Sequence, residues 1–167
     1  MDPTLRAAFR RTIDRAAERL GSLGDSEAGL PTAPGKWSRK EIVGHLIDSA
    51  ANNHSRFVRA QLQEDLVFPG YDQDAWVRVQ RYRDRSWSDL VALWRAYNQH
   101  IACVIMESAD PDVAARVRKS HNLDELAWKA VERTEPTTLD YFMRDYVGHL
   151  EHHLRQALGS DWAQSRD

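Results

Sequence analysis

The chain has 167 residues, enough to close one hydrophobic core and short for two, so a single domain over residues 1–167 is expected. Hydrophobic residues make up 42% and charged ones 29%, which excludes a disordered chain, and 23 basic against 25 acidic residues leave no excess that would draw it to nucleic acid or an anionic membrane. Cys103 is the sole cysteine and has no disulfide partner within the chain, and no apolar run suits a signal peptide or a membrane span, so a cytoplasmic protein is expected.

Leu5, Phe9, Ile13, Ala16 and Leu20 recur at helical spacing with charge between them and predict a first amphipathic helix, followed by Gly21 and Gly24. Residues 22–37 carry Gly24, Gly29, Gly35, Pro31 and Pro34 and read as a surface connection. Ser38-Arg39-Lys40-Glu41 matches a capping box, which starts a second helix. Its apolar positions Ile42, Val43, Leu46, Ile47, Ala50 and Phe57 share one side, and the pattern runs to about Gln63, before Pro69-Gly70.

Residues 71–85 are polar and aromatic and fit a short helix or an irregular crossover anchored by Trp76 and Tyr82. A third helix is predicted over 86–108, where Leu90, Leu93, Trp94, Tyr97, Ile101, Val104 and Ile105 repeat at three and four. Residues 112–135 show no dominant period, and the stretch from Leu123 to Trp128 suits a helical turn or a strand equally. Thr137 or Thr138 caps a fourth helix with the stripe Leu139, Phe142, Met143, Tyr146, Val147, Leu150, Leu154, Ala157 and Leu158, closed by Gly159. Four long helical patterns and few alternating ones predict an all-α fold, a four-helix bundle.

Val43-Gly44-His45-Leu46 on the second helix is echoed by Val147-Gly148-His149-Leu150 on the fourth. A glycine inside a helix costs about 1 kcal/mol relative to alanine, so the two suggest close helix approach, with the two histidines facing each other.

His149 and His153 are four residues apart, so they lie about 40° apart around the helix, one turn above the other. His153 lies within the apolar stripe and His149 at its edge, so both point inward. Two readings are open for such a pair: chelation of a borderline metal by neutral imidazoles, or a pair of hydrogen-bonded core histidines. A third ligand has to come from another helix. His45 flanks the apolar face of the second helix on the side of Ser49 and Arg56, whereas His54 projects nearly opposite. His100 edges the apolar face of the third helix, His152 points off the stripe, and His121 carries no signal, which leaves His45 as the best third ligand. H-E-x-x-H and paired Glu-x-x-His motifs are absent, so a single ion is favoured over a dimetal centre.

Three segments carry a resemblance: Trp37-Ser38-x-x-Glu41-Ile42-x-x-His45-Leu46-x-Asp48-Ser49, Trp94-Arg95-Ala96-Tyr97-Asn98, and Tyr146-Val147-x-His149-x-x-x-His153. Together they resemble the DinB and YfiT-like superfamily of metal-dependent hydrolases, over a span from about Trp37 to Leu158. The resemblance implies an up-down-down-up bundle and a three-histidine site for zinc, nickel or a similar divalent ion, carried here by His45, His149 and His153. It implies a small-molecule substrate and, through relatives that use bacillithiol or mycothiol, a thiol-dependent S-transferase or isomerase as the rival activity. A non-catalytic bundle that binds a metal or a small ligand is the third class. A homodimer is expected because relatives often pair and because the aromatic residues exceed what four helices need.

Three imidazoles leave positions on the ion for water or substrate, the arrangement of a catalytic more than a structural site. Beside them His45, Ser49, Asn52 and Arg56 form a polar stripe on the second helix, which with His100 makes up the candidate pocket wall; the alternative is a solvated face. Asp48 either orients His45 or sits in solvent.

Overall fold

A computed structural model describes residues 3–159 and Trp162. The elements run α1 (Pro3–Gly21), α2 (Asp25–Ala28), α3 (Arg39–Ala60), α4 (Gln73–Gln80), a 3-10 turn (Tyr82–Asp84), α5 (Trp87–His100), a π-helical continuation of α5 (Ile101–Met106), α6 (Pro111–Ala115), α7 (Leu123–Leu126) and α8 (Leu139–Leu158). Among the described residues there are isolated bridges but no strand, and no helix is long and apolar enough to cross a membrane.

The helix ends follow from local chemistry. The Ser38 side chain accepts the amide of Glu41 while Glu41 accepts the amide of Ser38 at 2.8 Å, so the capping box forms as its spacing demands. Thr138 caps α8 by accepting the amide of Tyr141, and Gly159 ends it at φ 84°, a left-handed value that suits glycine. The α3 helix stops at Ala60, three residues short of the expected Gln63.

Helices α1, α3, α5 and α8 form the bundle. In cross-section α1 packs on α5, α5 on α3, α3 on α8, and α8 returns to α1. Side-chain pairs fix the directions. Arg10 near the start of α1 reaches Cys103 and Glu107 beyond the end of α5, and Leu20 near the end of α1 accepts from the Trp87 indole at the start of α5, so these two run antiparallel. His54 meets Tyr97 and His100 late in α5 while Lys40 bonds the Arg85 carbonyl just before it, so α3 and α5 run parallel. Arg39 bonds Ala157 and Phe57 packs on Phe142, so α3 and α8 are antiparallel. The sequence of directions is therefore up-down-down-up.

Two parallel neighbours cannot be joined by a short turn, which is why residues 61–86 travel back along α3 as a crossover. There the structure departs from expectation. Tyr82 anchors the crossover, buried with its hydroxyl on Asp48 at 2.6 Å, but Trp76 is 40% exposed and leans on Tyr71 instead. A second long connection, residues 116–138, is stitched to the first: the Leu66 amide donates to Ser120, and Asn122 exchanges both amide bonds with Phe68. Its central stretch resolves as the single turn α7 rather than a strand.

The core is built from the expected faces. Phe9, Ile13 and Leu20 of α1, Leu46 and Phe57 of α3, Trp94 of α5, and Phe142, Leu150 and Leu154 of α8 are almost wholly excluded from solvent. One polar tie runs through it: Tyr146 donates to the Asn98 side chain at 2.6 Å, and Asn98 in turn donates to the Trp94 carbonyl at 2.9 Å. Both atoms of the Asn98 amide are thereby satisfied where water cannot reach.

The two helical glycines have a different cause from the one expected. A Cβ on Gly44 would stand 2.1 Å from the Tyr82 ring, and one on Gly148 would stand 3.1 Å from the Trp128 ring. Each glycine thus accommodates an aromatic ring from a crossover, not a neighbouring helix.

Candidate metal centre

His45 lies in the second turn of α3, and the antiparallel pairing of α3 with α8 sets it opposite the last half of α8. The Nε2 atoms of His45 and His149 are 3.3 Å apart. The rings of His45 and His153 are 4.7 Å apart, and those of His149 and His153 4.5 Å, all three pairs meeting edge to face. One nitrogen from each ring lies within 4.8 Å of the other two. No other group of three histidine, cysteine or carboxylate side chains comes together in this way among the described residues.

A hydrogen bond on the far side of the ring selects the tautomer of His153. Nδ1 of His153 is 2.8 Å from the Gln156 side-chain oxygen, which only accepts, so this nitrogen carries the proton and Nε2 is left with its lone pair. Nδ1 of His149 faces the Ser49 hydroxyl at 3.5 Å, and Nδ1 of His45 is buried with no partner. Burial and the neighbouring His153 push the His45 imidazole down to about 3 and, with His45 and His152 adding to the effect, the His149 imidazole down to about 2. The rings are therefore neutral at pH 7.

This donor set fits a divalent ion. Two nitrogens each about 2.05 Å from a tetrahedral zinc lie about 3.3 Å apart, the separation seen between His45 and His149. A direct hydrogen bond between those two nitrogens would serve one pair and leave the third ring out, whereas one cation serves all three lone pairs.

The protonation chemistry has a measurable consequence. In the unfolded chain both histidines titrate near 6.5, and in the fold they titrate near 3 and 2, so between these limits unfolding takes up protons. Stability of the metal-free protein should therefore fall as pH drops below about 6.5, with a slope approaching roughly 1.4 kcal/mol per pH unit for each of the two. Denaturant titrations of chelated protein between about pH 7.5 and 5 should show a shallower slope in His149→Ala than in wild type; equal slopes would contradict the assignment of neutral buried rings.

The centre opens into a cavity of about 520 Å³ whose lining includes His45, Ser49, Asn53, Arg56, Tyr71 and Asp145. A second cavity lies beyond His153, against Trp37, whose ring also covers His45 at 5.3 Å. Ser49 and Arg56 stand in the main wall as the stripe suggested. Asn52 does not: its amide turns back to the Asp48 carbonyl, and Asn53 lines the cavity instead. The reason is the crossover, which covers the Asp48 flank of α3 and leaves the opposite flank open. Asp48 neither orients His45 nor meets solvent; it is buried and accepts from Tyr82 and Gln80, each at 2.6 Å. His100 also lies outside the cavity, because α5 sits on the other side of α3, and its ring meets that of His54 at 5.0 Å. His152 leans on Trp128, accepts from the Gln156 amide and meets the His153 ring edge to face at 5.2 Å, so it touches the centre from outside both directly and through Gln156.

Asp145 and Tyr71 escaped the sequence reading. Asp145 has a local signal, since it precedes His149 by one helical turn and so shares its face. Its two oxygens accept the amides of Trp128 and Lys129 at 2.8 Å each, which pins the end of the second connection over the cavity. Burial pushes its carboxyl up against the lowering effect of those bonds. Tyr71 comes from the first crossover and has no such signal.

A family model for the DinB superfamily matches residues 8–157. Among individual relatives, OB0413 of Oceanobacillus iheyensis is 32% identical over 63 residues, covering 38% of this chain and 36% of that protein. YfiT of Bacillus subtilis is 25% identical over 130 residues, 78% of this chain and 67% of that one. Each is named as a candidate metal-dependent hydrolase. The solved structure of Bacillus subtilis YfiT, described as having an unusual four-helix bundle topology, superposes with a TM-score of 0.72 over 98% of this chain and 89% of that one, at 18% identity.

Proposed function

This chain belongs to the DinB superfamily, and from that premise we propose that it is a metal-dependent hydrolase of a small molecule, holding one divalent ion through Nε2 of His45, His149 and His153. The observation that carries the reading is the convergence of three neutral imidazoles, with no carboxylate partner among them, two of which, His45 and His149, line a cavity large enough for a substrate. Imidazole donors without thiolate or carboxylate suit zinc or nickel. When bound, the ion supplies Lewis acidity, which makes water nucleophilic near neutral pH and polarises a carbonyl or phosphoryl oxygen.

The chain's own residues have distinct tasks. Ser49 and Gln156 hold the outer nitrogens of His149 and His153 and so keep both Nε2 atoms turned inward. Trp37 lies against His45 and shields that edge from water. Asp145, on the cavity wall one turn before His149, accepts the amides of Trp128 and Lys129 and so holds the second connection over the cavity beside the histidines.

Turnover of a panel of activated esters and amides tests this. Activity should appear in zinc- or nickel-loaded protein, vanish on chelation, return on reloading, and be lost in His45→Ala. Equal rates in the loaded and chelated forms would refute the proposal, and turnover that required an added thiol would move the reaction from hydrolysis to S-transfer.

A further inference from the structure

Three cationic side chains are buried among the described residues: Lys40, Arg56 and Arg118. Lys40 and Arg118 are tied to the protein's own acceptors, although Nε of Arg118 is left without one. Lys40 pairs with Asp25 at 2.8 Å and also donates to the Arg85 carbonyl. Arg118 donates to the carbonyls of Ala60, Val113 and Arg116. Arg56 differs. It is only 6% exposed, yet its guanidinium makes one good bond, to the Pro69 carbonyl at 2.9 Å, and one long contact, to Asn53 at 3.5 Å. No carboxylate among the described residues pairs with it.

A guanidinium has five N–H donors in a planar fork, and these two contacts leave the remaining Arg56 donors open to a ligand in the cavity that it lines. None of the cavity carboxylates turns to Arg56: Asp145 accepts the amides of Trp128 and Lys129, Glu125 the Arg133 side chain, and Asp72 the amide of Ala75. Arg56 lines the same cavity as His45 and His149, and it lies on α3 three turns beyond His45, so a ligand that fills the cavity spans both.

We propose that Arg56 is a substrate-binding residue that receives an oxyanion, a carboxylate or a phosphate, at the end of the substrate away from the three histidines. The substrate class is thereby narrowed to elongated anionic molecules whose scissile bond is remote from the charged group, since the two side chains leave α3 about 16 Å apart along its axis. The fork geometry favours a planar or tetrahedral oxyanion held through two oxygens, and neutral analogues of the same shape leave the guanidinium unmatched. The identity of that anion as substrate rests on the hydrolase reading; the binding of an oxyanion to Arg56 does not.

The test is accordingly made on chelated protein, so that failure of the metal reading leaves it intact. Propionate, its neutral isostere propionamide, and inorganic phosphate are titrated into wild type, Arg56→Met and Arg56→Lys, with binding followed by NMR shifts of the cavity-lining amides. Wild type should bind propionate or phosphate at least about tenfold more tightly than propionamide, because a charge-matched hydrogen-bonded pair is lost with the amide. Whichever oxyanion binds better fixes the source as carboxylate or phosphoryl. The preference should disappear in Arg56→Met and survive in weakened form in Arg56→Lys, which keeps the charge without the fork and so guards against a folding defect from losing the Pro69 bond. Equal binding of propionate and propionamide to wild type, or an undiminished preference in folded Arg56→Met, would overturn the proposal.

Discussion

Replacing His149 by alanine should weaken zinc binding by well over the roughly 10- to 100-fold that loss of an outer-shell partner causes, because it removes one of three donors. His149 is the ring whose Nε2 stands 3.3 Å from that of His45 and whose nearest outer contact is Ser49. His45→Ala and His153→Ala should behave alike. Ser49→Ala and Gln156→Ala, which only loosen ring orientation, should fall within the smaller outer-shell range. His100→Ala is the control, since its ring contacts His54 on the other side of α3 and should leave affinity unchanged. Calorimetric titration of zinc into each chelated variant measures the series. Retention of wild-type affinity in folded His149→Ala would remove that residue from the site.

A second large effect is expected at Gly44, and its sign is opposite to what helix propensity alone dictates. Gly→Ala in an open helix interior stabilises by up to about 1 kcal/mol. Here the added Cβ would stand 2.1 to 2.7 Å from three atoms of the Tyr82 ring, which is buried and tethered through its hydroxyl to Asp48 and Gln80. The ring cannot yield without breaking those bonds, and overpacking of this kind costs about 1–3 kcal/mol or more. Gly44→Ala should therefore lower the unfolding free energy by about 2 kcal/mol, while Gly148→Ala should be close to neutral. The ring that Gly148 faces belongs to Trp128, which is 41% exposed and free to shift by a few tenths of an ångström. Urea denaturation of both variants decides it; a Gly44→Ala protein as stable as wild type would mean that Tyr82 does not dock on α3 as described.

The parts of the fold legible in the sequence are those whose information is local. Ser38 and Glu41 announce α3, Thr138 and Gly159 bracket α8, and the apolar stripes of all four long helices repeat with the helical period. The i,i+4 spacing of His149 and His153 and the wheel position of His45 bring these rings to one side of their helices, and the antiparallel packing of α3 on α8 then makes them neighbours. The crossovers were illegible because their conformation is dictated at long range. Tyr82 is held by a residue 34 positions earlier, Asn122 by Phe68, and the end of the second connection by Asp145. The same cause displaced the pocket wall from Asn52 to Asn53, since nothing within α3 says which flank another segment will cover. The π-helical stretch Ile101–Met106, inside what periodicity presents as one continuous helix, likewise has no marker in the local pattern.

The central claim, that one ion is held by three histidines and no others, is tested most directly by long-range ¹H–¹⁵N NMR of the imidazole rings as zinc is added to the chelated wild-type protein. The account predicts that Nε2 of His45, His149 and His153 shifts together and saturates at one equivalent, while His54, His100, His121 and His152 keep their nitrogens unligated. Saturation at another stoichiometry, or coordination shifts at His54 and His100 in place of the three, would contradict it.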